Sequence, residues 1–375
     1  MFEHLASMTW TFPAGGKEIA ALAVYAEPQE TAQGVIYRPR AAAESGPEGV
    51  ACLDDVARAA LLGLRAWEQE RDEQGRRLAQ QWLGFVAYMQ GEDGRFTNFI
   101  LDAAGQRNMR GQTSYPGGLW WTARALYALG AAYRVLGEER WLERWQRCPL
   151  PPRAVTASDE KITGVLILAA LEVLRAAPPA RVRQQMQALV EGWCDDLLRG
   201  MDGYLCDMPG ERQVMLWGYH QFPALAQAAA WLGRADYLEA CRQTVERLVV
   251  PTLEAGFLYA FPDVKEGQCA YCMTPLVQGL AALYRATHEA RYAGLALRAF
   301  GWFEGRNDAH TRMYDPQTGR CLDGITDGVA SRNCGAESAI EAGLAELERR
   351  SLSRSPGARQ TPENPETSAS LNALA

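Results

Sequence analysis

The sequence has few of the residues on which metal, nucleophile and nucleotide chemistry depend. Its four histidines, His4, His220, His288 and His310, lie too far apart for any two to share a helix face. No Cys-x-x-Cys is matched by a second such pair or by His-x-x-x-His, so no metal site and no other cofactor is expected. A Gly-x-Ser-x-Gly elbow, a Walker loop and a Gly-x-Gly-x-x-Gly after a strand are all absent, which sets aside serine-hydrolase, P-loop and dinucleotide-binding chemistry. Lysine is scarce too: Lys17, Lys161 and Lys265 are the only three. A net charge of −7 and a pI near 5.4 leave no electrostatic footprint for a nucleic-acid partner.

No uncharged apolar run approaches the roughly 18 residues that suggest a bilayer span, because the most apolar stretches carry Arg or Glu within them. The opening MFEHLASMTWTFPAGG has neither a basic leader nor a signal-like apolar core, so a soluble, cytoplasmic chain with no membrane partner is expected. Nine cysteines, odd in number and scattered, agree with a reducing compartment. Cys269 and Cys272 form a CAYC pair at an apolar helix start. Packed thiols are the simpler reading, and a redox or metal pair is the alternative.

Against these absences stands a rhythm. Five times, a small-residue, strongly apolar helix pattern is followed by a more charged one, and a sixth apolar member comes last. The apolar members begin at about Asp54, Gly117, Ser158, Tyr219, Ala270 and Gly335. DDVARAALLGLRAW, from Asp54 to Trp67, is crowded with Ala, Gly and Leu on every face, the mark of a helix buried all round. The partners, such as Gln74 to Gln90, Ala180 to Arg199 and Asp236 to Leu253, are polar on one face only. Units of about 50 to 60 residues built from two helices cannot bury their apolar faces alone, so neighbours must stack or close. Six units predict an all-α (α/α)6 toroid, an inner ring of apolar helices inside an outer amphipathic ring. Residues 1–350 read as one domain, with 1–49 an extension that completes the ring. EIAALAVYAE and GVIYRP near the start resemble strands, although Glu18 to Glu27 could instead supply the missing outer helix. Ser351 to Ala375 lacks aromatics and periodicity and reads as a disordered tail.

In such a ring the N-termini of the inner helices open on one end of the central cavity, so side chains at those junctions converge. Asp54, Asp55 and Arg58 stand at the first junction, Tyr115 and Trp120 at the second, Trp217 and His220 at the fourth, Tyr271 at the fifth and Glu337 at the sixth. Asn98 and Asp102 lie on a loop far longer than the usual four to six residues. Asp323 precedes the sixth helix. Aromatic faces beside planar acceptors suit pyranose rings, whose C–H faces stack and whose hydroxyls need acceptors. Plainer roles compete at each position: Asp54 or Asp55 as a helix cap with Arg58 as its helical ion pair, Glu337 as a capping-box acid, His220 as a packed imidazole, and Asp323 as a turn residue. Of the adjacent Trp120 and Trp121, at least one should be core, since neighbouring helical residues face about 100° apart.

The string Val50 to Ala59 (VACLDDVARA) resembles the YCTDDNARAL motif of the helical toroid domains that accompany bacterial glycosyltransferases, within the six-hairpin glycosidase superfamily. GRFTNF (Gly94 to Phe99) is similar to their RFHNF loop, RALYALG (Arg124 to Gly130) to their RALWALG helix, and the Gly319 to Ser338 stretch to their CxDGL…NxGAES ending. The order is the same over about Val50 to Glu346. The resemblance implies a carbohydrate-active enzyme, in the first reading an inverting glycoside hydrolase acting on an intracellular oligosaccharide. Asp55 and Glu337 would serve as acid and base, with Asp54 and Asp102 as further candidates. Arg58, Asn98, Tyr115, His220 and Asp323 would bind hydroxyls, and Trp120, Trp217 and Tyr271 would stack. Leu119 and Trp120 stand where the relatives carry an acidic pair. That departure motivates an alternative, a non-catalytic sugar-binding partner of a glycosyltransferase. Sugar epimerisation through His220 is the other.

Overall fold

The computed structural model describes residues 1–32, 34–43, 46–153 and 159–354. A short helix, α1 (Glu3–Ser7), and two antiparallel hairpins precede the first long helix. The hairpins are β1 (Thr9–Ala14) with β2 (Lys17–Leu22), and β3 (Tyr25–Thr31) with β4 (Gly34–Arg40). Six helices then form the inner ring: α2 (Leu53–Glu70), α4 (Leu119–Leu136), α6 (Glu160–Arg175), α8 (Gln221–Leu232), α11 (Ala270–Thr287) and α13 (Ala336–Arg354). Each packs on the next, and α13 returns to α2, which closes the circle. The outer layer holds α3 (Glu73–Met89), α5 (Glu139–Arg147), α7 (Ala180–Gly200), α9 (Ala235–Thr244), running through a π-turn into α10 (Val250–Glu254), and α12 (Ala290–Phe300).

The inner helices are buried along nearly their whole length because their Ala and Gly side chains let neighbouring backbones approach closely. At Gly63 of α2, a Cβ would lie 2.4 Å from the Gly75 carbonyl oxygen of α3, so only glycine permits this inner-to-outer crossing. Residue Ser158, near the expected start of the third inner helix, lies outside the described residues. The other expected starts fall within two residues of those observed.

Glu18 to Glu27 is not an outer helix. Gly15 and Gly16 both take positive φ, 56° and 73°, and their Gly-Gly turn folds β2 back on β1. β2 packs on α3 and α1 packs on α13, so a hairpin and a single helical turn occupy the sixth outer position. His4 fastens this segment, its N–H donating to the Thr318 carbonyl (3.0 Å) while its Nε2 lies 2.9 Å from the Cys334 carbonyl. Of the tail expected from Ser351, residues 351–354 are helical instead. α13 continues through Arg354, and Arg350 and Arg354 both bind Glu70 of α2, at 2.8 and 2.6 Å. Residues 355–375 lie outside the described residues. Among the described residues no helix is long and apolar enough to cross a membrane.

Short ladders fix the loops that lead into the inner helices. β5 (Ala51–Cys52) pairs with β6 (Phe99–Ile100) just before α2, and β7 (Val214–Met215) with β8 (Ala260–Phe261) before α8. β9 (Gln268–Cys269), before α11, pairs with the strand Gly324–Thr326 in the loop that precedes α13. Strands held this way give the helix starts defined positions around the cavity mouth.

Candidate functional site

The cavity mouth is organised by one buried arginine. The start of α2 is capped by other residues: the Cys52 Sγ accepts from the Asp55 N–H (3.4 Å), and the Asn98 Oδ1 accepts from the Asp54 N–H (3.1 Å). The Asn98 carbonyl takes the Leu53 N–H (2.7 Å) and its Nδ2 donates to the Thr113 carbonyl (3.0 Å). Both aspartate side chains are thereby released from capping and turn to Arg58, which is 4% exposed. The Arg58 Nε lies 2.8 Å from Asp54, Nη2 lies 2.7 Å from Asp55 and 3.1 Å from Glu337, and Nη1 lies 3.0 Å from Glu341.

Arg58, with Arg124 as a second cation 3.7 Å from Asp54, cannot neutralise four acids, and the protons redistribute accordingly. Burial pushes the Asp55 carboxyl up to about 7, with Arg58 pulling down and Asp54 and Glu337 pushing up. Burial raises Glu341 as well, against the pull of Arg58 and Arg124. Burial works to lower the Arg58 guanidinium too, yet the surrounding acids hold it well above its usual value. Asp55 and Glu341 are thus buried supports with 5% and 1% of their side chains exposed, whereas Asp54 and Glu337, at 22% and 34%, remain partly open to solvent. The oxygens of Asp55 and Glu337 approach the same nitrogen at 2.7 and 3.1 Å, which leaves at most about 5.8 Å between them.

Tyr271 packs beside this cluster and, at 1% exposed, offers no open face for the stacking expected of it. Its ring lies under Arg58 (4.8 Å) and Arg124 (5.2 Å), and its hydroxyl is 3.2 Å from the His220 Nε2. That same nitrogen is 3.1 Å from the Arg124 Nη2. With two donors converging on it, Nε2 is the acceptor and Nδ1 carries the proton. Burial, then Arg124, Arg58 and Lys161, pushes His220 well below its usual value, so the imidazole is neutral. The Arg124 Nε, His220 Nδ1 and Glu341 Oε2 are buried without a hydrogen-bond partner among the described residues. Buried polar atoms are normally paired, so these three leave hydrogen-bonding capacity unused among the residues packed around Arg58 and Tyr271.

An aromatic row leads outward from this cluster. Trp217 meets Tyr271 edge-on at 4.8 Å and lies 5.6 Å from Trp120. Trp120 and Trp217 then wall a cavity of about 430 Å³ whose polar lining includes Asp159, Lys161 and Asp207. Trp121 is the core member of its pair, 7% exposed, its Nε1 donating to the Phe96 carbonyl (2.8 Å). Lys161 pairs with Asp207 at 3.0 Å. Tyr259 lines the cavity as well, and burial raises its hydroxyl, with Cys272, Cys269 and Glu337 pushing the same way.

No protein-family model matches the chain, and no curated protein matches it by sequence. Solved structures do match. A sugar epimerase from a ruminal bacterium aligns with a TM-score of 0.61 at 13% identity, over 81% of this chain and 89% of its own. Cellobiose 2-epimerase from Spirochaeta thermophila aligns with a TM-score of 0.61 at 14% identity, over 88% and 90%. An unsaturated glucuronyl hydrolase specific for heparin aligns with a TM-score of 0.55 at 8% identity, over 89% and 92%. The chain has the six-hairpin (α/α)6 toroid fold.

Within the toroid, Asp54, Asp55, Arg58, Tyr271, His220 and Glu337 come together, with Trp217 and Trp120 beyond them. Others of the expected residues stand apart. Asp102 is exposed, and its Oδ1 accepts from the Ala104 and Gln106 N–H groups (3.0 and 3.1 Å), a turn that spends the carboxylate on local backbone. Tyr115 is 49% exposed and rests edge-on against Trp121. Asn98 is a helix cap. Asp323 takes the Gly335 N–H (2.6 Å) ahead of α13, and burial pushes it up to about 6. Sequence reasoning missed Glu341 and Arg124, and passed over Asp159, Lys161 and Asp207. Glu341 had a visible signal, since it follows Glu337 by one helical turn. Arg124 stands in the RALYALG string, and its signal was that an arginine inside an apolar inner helix needs a buried partner.

Proposed function

We propose that this toroid is a carbohydrate-active enzyme and that its reaction is hydrolysis of a glycosidic bond, with Asp54 and Glu337 as the reacting carboxylates. The observation that carries the reading is the shared Arg58, which holds two partly exposed acids in fixed positions and stacks on Tyr271, itself in contact with Trp217. One carboxyl donates a proton to the glycosidic oxygen, and the other activates water on the opposite face of the sugar. Inversion needs a gap of about 6.5–9.5 Å between the acids to seat that water. Asp55 is buried, and its Arg58-bound oxygen lies within about 5.8 Å of that of Glu337, so this proposal gives Asp55 a supporting role. Asp54 keeps the open position. Trp217 and Trp120 provide stacking faces, and Arg124 and His220 provide donors to hydroxyls. The glycosidases and epimerases of the same fold support a sugar substrate without choosing between the two chemistries.

A second reading, sugar binding without turnover, is favoured by Leu119 and Trp120 at the second junction. Epimerisation is disfavoured by the state of His220, whose one basic nitrogen already has two donors and whose basicity burial suppresses. Incubation with α- and β-linked gluco- and manno-oligosaccharides tests all three. Hydrolysis predicts released reducing sugar, with the product anomer read by NMR, and its loss in Asp54→Asn and Glu337→Gln. Undiminished release in both variants contradicts the roles. Interconversion of free sugars that depends on His220, or saturable binding with no turnover on any substrate, contradicts hydrolysis.

A further inference from the structure

A groove of about 860 Å³ lies on the outer wall between the β1–β2 hairpin, α3 and α5. Its lining carries five cations, Lys17, Arg107, Arg140, Arg144 and Arg147, against one acid, Glu143. On a chain of net charge −7 this is a local excess of four positive charges. Arg140 pairs with Glu138 at 2.5 Å. No carboxylate among the described residues pairs with the other four. Arg107 donates to the Tyr88 carbonyl, Arg144 to the Ala87 carbonyl (3.3 Å) and Gln90 Oε1 (3.2 Å), and Arg147 to Gln90 Oε1 (3.2 Å) and the Gly91 carbonyl (3.4 Å).

The plain explanation is helix capping, because those carbonyls belong to the C-terminal end of α3, where unpaired oxygens and the helix dipole favour cations. Magnitude decides against it as the whole account. With Glu143 and Glu138 set against the five cations, three positive charges remain, and a helix end supplies roughly half a negative charge, which leaves about two and a half unanswered. Each guanidinium has five N–H donors and spends only one or two here. Burial, then Arg147 and Arg140, lowers the Arg144 guanidinium, the mark of cations crowded together.

The ligand chemistry follows from what the groove lacks. The Arg140 guanidinium covers the Trp141 ring at 4.5 Å, and Arg107 covers the Tyr88 ring at 4.4 Å, so neither aromatic face is open to stack a sugar. A long polynucleotide would meet the repulsion of the acidic remainder of the molecule. A short polypeptide rich in Asp and Glu meets neither obstacle. Its carboxylates match guanidinium forks, and its backbone can lie on the small side chains of Ala14, Gly84 and Ala87. We propose that this groove docks an acidic peptide segment of a partner protein, with Arg107, Arg144 and Arg147 pairing its carboxylates.

The test uses the full chain and a fluorescein-labelled peptide of about ten residues, rich in Glu and Asp, with its Gln/Asn counterpart as control. Fluorescence anisotropy should show saturable binding of the acidic peptide only, weakened about tenfold or more between roughly 50 and 300 mM NaCl. Arg144→Gln with Arg147→Gln should weaken it about tenfold or more. Lys17→Glu touches no helix carbonyl and should weaken it several-fold, which keeps the test open if the arginine variant fails to fold. Equal binding of the uncharged peptide, or binding undiminished in folded Lys17→Glu and Arg147→Gln proteins, overturns the proposal. So does binding of an oligouronate or RNA in the groove with no binding of the acidic peptide.

Discussion

Replacing Arg58 with Met keeps the aliphatic stem and removes the charge, and the consequence depends on pH in a way that can be worked out. Asp54, Asp55, Glu337 and Glu341 would lose their common cation, with Arg124 remaining at 3.7 Å from Asp54. Breaking a buried ion network from one side costs about 3–5 kcal/mol when the stranded groups stay charged. Asp55 already sits at about 7 in the folded protein, far above its value in an unfolded chain, and Glu341 is raised in the same direction. Raised carboxyls mean that the native state binds more protons than the unfolded state, so stability falls as pH climbs from about 4 through 7. Without Arg58 these carboxyls rise further and the fall steepens. An unfolding entropy of roughly 0.7 kcal/mol/K for a chain of this size converts 4 kcal/mol into a Tm loss of about 5–6 °C at pH 8. At pH 5, where the stranded acids take up protons, the loss should shrink to about half or less of that figure. Thermal melts of wild type and variant at the two pH values check this. A loss equal at both, or none at pH 8, would refute the idea that Arg58 is the charge hub.

Asn98→Ala should cost about 1–2 kcal/mol in denaturant unfolding, because it strips the cap of α2 and leaves Asp54 or Asp55 to serve as replacement. Gly63→Ala should destabilise by about 1–3 kcal/mol or more through collision with the Gly75 backbone, whereas Gly84→Ala on α3, with nothing within 4 Å of the new Cβ, should stabilise by about 0.5–1 kcal/mol. Equal effects of the two glycine changes would contradict the packing argument. Trp217→Ala should weaken sugar binding by about tenfold, near 1.4 kcal/mol, while Tyr115→Ala, out on the rim, should leave it within about twofold, as read by calorimetry with the best oligosaccharide.

The ring was legible because its signal is one-dimensional. A helix apolar on every face must be buried on every side, and the α2, α4, α8, α11 and α13 segments declare this within their own length. The N-terminal hairpin was ambiguous because Ile19, Ala20, Ala21 and Leu22 are all buried, and a continuous apolar run carries no period to separate strand from helix. The approach of Asp54, Asp55 and Glu337 followed from ring closure alone. Their common partner did not. Arg58 reaches Glu337 and Glu341 across 279 and 283 residues, and only packed helices reveal that one guanidinium serves all four acids. Asp102 misled because a long loop reads as functional, whereas its carboxylate closes an ordinary turn. The third junction, with Asp159 and Lys161, was passed over because acids at a helix start look like caps. Asp159 is indeed the cap of α6, accepting from the Ile162 N–H at 3.1 Å, and it lines the cavity as well.

Sugar held between Asp54 and Glu337 would be visible in a crystal structure of Glu337→Gln soaked with an oligosaccharide cleaved by the wild type. The expected result is a scissile oxygen within hydrogen-bond reach of Asp54 or of the substituted side chain at 337, with an adjoining ring stacked on Trp217. Sugar bound only against Asp159 and Asp207, with the Arg58 cluster closed to it, would contradict it.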